Sequence, residues 1–131
     1  MIRGGCFCGA VRYEAGGTPW HRTVCHCTMC RGTTGAPMVA WFSVARRDFR
    51  FTQGTPTAFR SSAKATRTFC GTCGAQLTFA HDEAPGEIDV TTCTLDDPAA
   101  VAPQDHTFVR SRLPWVMTSD GLPQHEGARP A

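Results

Sequence analysis

The sequence predicts a mainly β single domain, and three observations carry that reading. Helical periodicity is almost absent, short runs with period-two alternation recur, and Gly, Pro, Ser and Thr divide those runs at close intervals. A chain of 131 residues with 41% hydrophobic content is long enough for one modest core. Short strands bury little each, so a second source of stability is expected, and the eight cysteines are the candidates.

In chain order, Val11 and Tyr13 alternate with Arg12 and Glu14 as the first strand. Met38 to Val44 is a continuous apolar run, the pattern of a strand covered on both faces. Phe49 and Phe51 alternate with polar neighbours, as do Leu77 and Phe79. Thr66 to Phe69 and Ala75 to Ala80 read as two strands of one hairpin. Ile88 and Val90 lie in a run ending at Cys93, and Phe108 alternates with Thr107 and Val109. About seven strands result, with turns such as Gly16-Gly17 and Pro85-Gly86 between them. Asp97 caps one short helical turn that Pro98 opens. The segment from Ser119 is rich in Gly, Pro and charge and reads as a surface tail.

Composition excludes several function classes. The formal charge is +2 and Arg46-Arg47 is the one adjacent basic pair, so the stripe that a nucleic-acid backbone requires is missing. No segment approaches a membrane span. Met1 leads directly into Gly5-Cys6 with no apolar leader, so a cytoplasmic setting is expected. Thiols stay reduced there, and clustered cysteines bind metal more readily than they form disulfides.

The cysteines form three clusters and one singleton, Cys93. Cys70-Gly71-Thr72-Cys73-Gly74 is a metal knuckle: a tight turn aims two sulfurs at one ion, and the trailing glycine accepts the positive φ that closes it. A redox pair of the same spacing would open a helix, whereas a strand pattern follows here. Cys6 and Cys8, also followed by a glycine, would supply two sulfurs from one side of an extended segment. The first expected set is therefore Cys6, Cys8, Cys70 and Cys73, a closed structural zinc site. Cys25, Cys27 and Cys30 form the second, with three thiolates and a tetrahedral position left over. Such a site is reactive if open, and inert if Cys93 or a histidine closes it. Cys93 reads as a buried small hydrophobe. His26 is expected to point away from the metal, and is the histidine placed to shuttle a proton. His21, His81, His106 and His125 read as surface residues.

Gly4 to Tyr13, CHCTMCR from Cys25 to Arg31, and FCGTCGAQL from Phe69 to Leu77 together resemble the glutathione-dependent formaldehyde-activating enzyme family, which includes centromere protein V-like domains. His106 to Trp115 is similar to the family's closing strand and Pro-Trp turn. The resemblance runs from Gly4 to about Leu122, so residues 1–122 read as the domain and 123–131 as a polar tail.

What the resemblance implies is a β-tent fold, short antiparallel sheets stapled by zinc. It assigns Cys6, Cys8, Cys70 and Cys73 to the structural ion and Cys25, Cys27 and Cys30 to a second, catalytic and labile one. The implied activity is that of a carbon–sulfur lyase of the S-hydroxymethylglutathione synthase kind. A small thiol, glutathione or one like it, adds reversibly to formaldehyde or a related aldehyde. Partners are then a small-molecule thiol and an aldehyde, with neither nucleic acid nor membrane. Where the family often carries a second basic residue after CHCTMCR this chain has Gly32, which leaves Arg31 and Arg67 as candidates for the thiol's carboxylates. The alternative is a zinc-stapled binding or scaffold domain without catalysis.

Overall fold

A computed structural model describes residues 1–130. The strands are β1 (Ile2–Gly5), β2 (Arg12–Ala15), β3 (Trp20–Cys25), β4 (Val39–Ala45), β5 (Phe49–Gln53), β6 (Thr57–Ser62), β7 (Ala65–Phe69), β8 (Gln76–His81), β9 (Glu87–Thr91) and β10 (Asp105–Thr107). One α-helix, α1 (Thr28–Thr34), follows β3. β1, β2 and β5 form a three-stranded sheet, and the others form a seven-stranded sheet in the order β10-β3-β4-β9-β8-β7-β6. Pairing is antiparallel throughout except for β10, which lies parallel to β3. The fold is mainly β, as the alternation predicts.

β4 shows how the large sheet acquires two working faces. Trp41, Phe42, Ser43 and Val44 are buried in succession, which requires cover on both sides. Phe42 and Val44 face the same way as Val90 and Ile88, their partners on β9. With Leu77 they pack against Val11, Tyr13 and Ala15 of the small-sheet side to form the main core. Phe42, Val44, Leu77 and Val90 are fully enclosed, each contributing roughly 1.5–3 kcal/mol by leaving water. Period two sends Trp41 and Ser43 to the opposite face. Their neighbours there are Asp89, which pairs with Ser43, and Phe79, which pairs with Asp89 and with Arg67.

The small sheet closes tightly onto this core. Tyr13 Oη lies 2.8 Å from Thr94 Oγ1, and Gly4 sits directly over that contact. A Cβ at Gly4 would meet the Thr94 carbonyl oxygen at 2.4 Å and Tyr13 Oη at 2.5 Å, so only glycine fits.

Several elements depart from the sequence reading. β1, β3 and β6 form although their alternation is weak, because pairing with the strand that follows each of them supplies their hydrogen bonds. α1 was not expected from TMCRGTT, and it rests on its two ends. Cys27 is the N-cap, its sulfur accepting the Cys30 N–H at 3.3 Å, and Gly35 closes the other end in the left-handed region. The strand expected through Phe108 stops at Thr107, since Phe108 adopts φ 56° and a 3₁₀ turn, Val109–Ser111, follows. The turn at Pro98–Val101 is present and is 3₁₀, with Asp97 at the N-cap position making no side-chain cap. No helix among the described residues is long and apolar enough to cross a membrane.

Candidate functional site

The four-cysteine set gathers residues from opposite parts of the chain. Cys6 and Cys8 lie in the turn between β1 and β2, and Cys70 and Cys73 in the turn between β7 and β8. The first pair is not in an extended segment, as its spacing suggested. A turn closed by the Gly9 N–H on the Cys6 carbonyl at 3.2 Å aims both sulfurs instead. Gly9 at φ 82° and Gly74 at φ 80° fill the two positions that the turns reserve for glycine.

All four sulfurs lie within 4.8 Å of one another, with Cys6 to Cys8 at 3.6 Å and Cys8 to Cys70 at 3.7 Å. A tetrahedral zinc with sulfurs about 2.3 Å away has S···S edges of about 3.8 Å, so these residues fit that ion. Backbone N–H groups are aimed at the sulfurs: Val11 donates to Cys6 at 3.2 Å, and Thr72 and Cys73 donate to Cys70 at 3.4 Å. The bonds from Cys73 and Thr72 draw the Cys70 thiol below its ordinary pKa, which favours the thiolate that metal binding needs.

The three-cysteine set is local. Cys25 ends β3, Cys27 caps α1 and Cys30 sits in its first turn, with the sulfurs again within 4.8 Å of one another. Three sulfurs this close cannot all carry charge without a cation among them. Hydrogen bonds from Cys25 and Cys30 pull the Cys27 thiol far down, and the contact with Cys27 pushes Cys25 up. That donor set suits a soft divalent ion.

Among the described residues, no fourth metal-ligating side chain completes this set. Cys93 is exposed, not buried, because β9 ends at Thr91 and the chain turns outward through the 3₁₀ segment Thr92–Thr94. Beside the sulfurs lies a cleft of about 540 Å³ over the second face of the large sheet, lined by Trp41, Phe79, Phe108, Met29, Arg67 and Asp89 among others. Asp89 is half-buried; burial pushes its carboxyl up to about 6, against the bond from Ser43 Oγ at 2.5 Å.

A fold and two cysteine sets of this kind can be compared with known proteins. The family model of the glutathione-dependent formaldehyde-activating enzymes matches residues 1–111. The chain belongs to this family. Over 78 residues it is 32% identical to an uncharacterized lyase of Schizosaccharomyces pombe, covering 60% of this chain and 56% of the relative. The chain thus matches little more than half the length of that relative. In fold it is similar to a crystal structure of a Rhodobacter sphaeroides protein, with a TM-score of 0.60 and 24% identity over 95% of this chain and 99% of that one.

In this family member, one of the two candidate basic residues reaches the cleft and the other does not. Arg31 does not reach the cleft: its Nη1 donates to the backbone carbonyls of Ser111 and His26. Gly32 is exposed with open space around it, and neither residue lines the cleft. Arg67 does line it and is only 4% exposed.

The histidines hold the other surprise. His106 was expected at the surface and is buried, with Nδ1 2.9 Å from His26 Nε2 and Nε2 2.8 Å from Asp120 Oδ2. Its burial comes from residues 123–127, which lie along the β10 edge: His106 N–H donates to Pro123 and His125 N–H to His106. His26 is buried too, and burial together with the charges of His106, Arg112 and Arg31 holds its pKa down. Asp120 accepts from His106 Nε2–H, so the neutral arrangement has His106 Nδ1 accepting from His26 Nε2–H. His125 is half-buried against Asp105 at 3.3 Å, whereas His21 is exposed as expected. No local pattern marks His106, because the cover over it arrives from a later segment.

Proposed function

We propose that this family member is a zinc-dependent carbon–sulfur lyase that adds a small thiol, glutathione or one like it, reversibly to formaldehyde. In this reading Cys6, Cys8, Cys70 and Cys73 hold a structural zinc, and Cys25, Cys27 and Cys30 hold the reactive one. One observation carries it: a three-sulfur set with no fourth side-chain ligand among the described residues, beside a cleft. Zinc on three thiolates would supply a Lewis acid with one position for an incoming sulfur or oxygen.

The chain's own residues shape what happens there. Trp41 and Phe79 provide an apolar wall that excludes water from the reacting carbon. In the forward direction the substrate sulfur's electron pair forms the C–S bond, the carbonyl π pair passes to oxygen, and that oxygen takes up the proton that the thiol gives up. The reverse breaks that bond and returns the proton. Asp89 sits on the same sheet face, where it can contact the body of the thiol substrate.

Eight unpaired thiols suit a reducing compartment, and a cytoplasmic setting belongs to the same reading. In it residues 1–122 form the catalytic domain and 123–131 a polar tail, of which residues 123–127 cover His106. The test is formaldehyde consumption with millimolar glutathione, followed by NMR of the S-hydroxymethyl adduct. The reading expects a rate above the thiol-only control that disappears in Cys30→Ser. A control-level rate from zinc-replete protein would leave the non-catalytic scaffold.

A further inference from the structure

Arg67 is a buried cation with no carboxylate within ion-pair distance among the described residues, although Asp89 lies near enough on the same cleft for the two charges to act on each other. The arginine is 4% exposed, and among the described residues it forms no ion pair with Asp or Glu. Its guanidinium carbon lies 4.9 Å from the Phe79 ring centre and 5.8 Å from that of Trp41. Nη1 donates to Thr33 Oγ1 at 3.3 Å, Nη2 faces Cys30 Sγ at 3.9 Å, and Nε has no partner. The two carboxylates of the cleft are engaged elsewhere, Asp89 with Ser43 and Glu87 with Trp20 and His21.

A guanidinium taken out of water requires an anion nearby, and two aromatic faces offset only part of that cost. The anion in direct contact here is the sulfur set, at Cys30, with Asp89 acting from farther off. Three thiolates on a divalent ion carry a net charge of about −1. A neutral fourth ligand leaves that charge unchanged, while a thiolate raises it to about −2. A fixed positive charge beside Cys30 stabilises the second state more than the first.

We propose that Arg67 is a positioning residue that makes the three-cysteine centre selective for an anionic fourth ligand, the thiolate form of the substrate. The proposal rests on the lyase reading and names the charge state that the site selects. Its planar head suits the position, since a guanidinium lies against two rings while a lysine ammonium does not stack.

The test uses the whole chain loaded with cobalt(II), whose visible bands report a fourth ligand at the three-cysteine centre over a constant four-thiolate background. The probes are 2-mercaptoethanol, which binds as an anion and has no carboxylate, mercaptoacetate, which adds one, and imidazole, which binds neutral. Arg67→Met should raise the Kd for 2-mercaptoethanol by roughly tenfold or more and change that for imidazole by less than about twofold. Arg67→Lys should recover part of the loss. Arg67→Gln carries the same expectation as the Met variant and replaces it should that one fail to fold. Equal weakening of both probes, or of neither, overturns the proposal. So does a loss confined to mercaptoacetate, which would make Arg67 a reader of substrate carboxylates. Wild-type bands that respond to no probe would remove the lyase reading itself, and this proposal with it.

Discussion

His26 and His106 meet ring to ring, Nε2 to Nδ1 at 2.9 Å, and so join the loop between Cys25 and Cys27 to β10. The contact is backed by the His26 N–H donating to the Thr107 carbonyl at 3.0 Å. A loop that presents three sulfurs is thereby held from behind by residues far along the chain.

His106→Phe keeps an aromatic ring, slightly larger, and removes both ring bonds. It leaves His26 Nε2 buried without a partner, which should cost roughly 1–3 kcal/mol of stability. Support residues of this kind typically change metal affinity by about 10–100-fold. Chelator competition should therefore show zinc leaving the three-cysteine set sooner while the four-cysteine set is unaffected. Unchanged retention at both sites would mean the histidine pair does not position the loop.

Asp89 gives a pH dependence of unusual sign. Its folded pKa is pushed up to about 6 by burial, above the ordinary 3.8, so its stabilising contribution is complete at low pH and is lost as pH rises through about 6. Asp89→Asn should be more stable than wild type at pH 7.5 by on the order of 1–3 kcal/mol, and no more stable below about pH 4. Paired thermal melts across that range check it. A destabilised variant at neutral pH would show that the Ser43 bond to the carboxylate outweighs burial.

Gly4→Ala tests the close approach of the small sheet to the 3₁₀ turn Thr92–Thr94. The added methyl must displace the Thr94 carbonyl or the Tyr13 hydroxyl, a shift expected to cost on the order of 2–3 kcal/mol. Urea unfolding measures it directly. A change within about 0.5 kcal/mol, typical of an exposed position, would mean the Thr92–Thr94 turn yields freely there.

What the sequence made legible is what short spacing controls. The knuckle, its trailing glycine, the three-sulfur loop and the doubly buried β4 each follow from residues within a few positions of one another. Arg67 could be named as a candidate cation, but its place between Trp41 and Phe79 depends on strand order, which no local pattern encodes. The strand at β10 is legible in the alternation around Thr107, but the burial of His106 is hidden for the same reason, since its cover comes from the residues after Gly121. α1 escaped notice because a seven-residue helix containing Gly32 and three threonines has little propensity of its own. Its caps hold it, and one cap is a cysteine, a residue that ordinary capping rules do not favour.

The division between the two sulfur sets is the centre of this account, and zinc content measured beside folding tests it most directly. Cys70→Ser removes a ligand from the set that joins the β1–β2 turn to the β7–β8 turn. Structural zinc supplies about 10–16 kcal/mol in small modules, more than the roughly 5–15 kcal/mol net stability of a domain can spare. That variant should be insoluble or largely unfolded. Cys30→Ser touches a set confined to β3 and α1, so it should stay folded by circular dichroism, retain one zinc per chain and lose glutathione-dependent formaldehyde consumption. The account is contradicted if Cys30→Ser unfolds as badly as Cys70→Ser, or if it stays folded and keeps full activity.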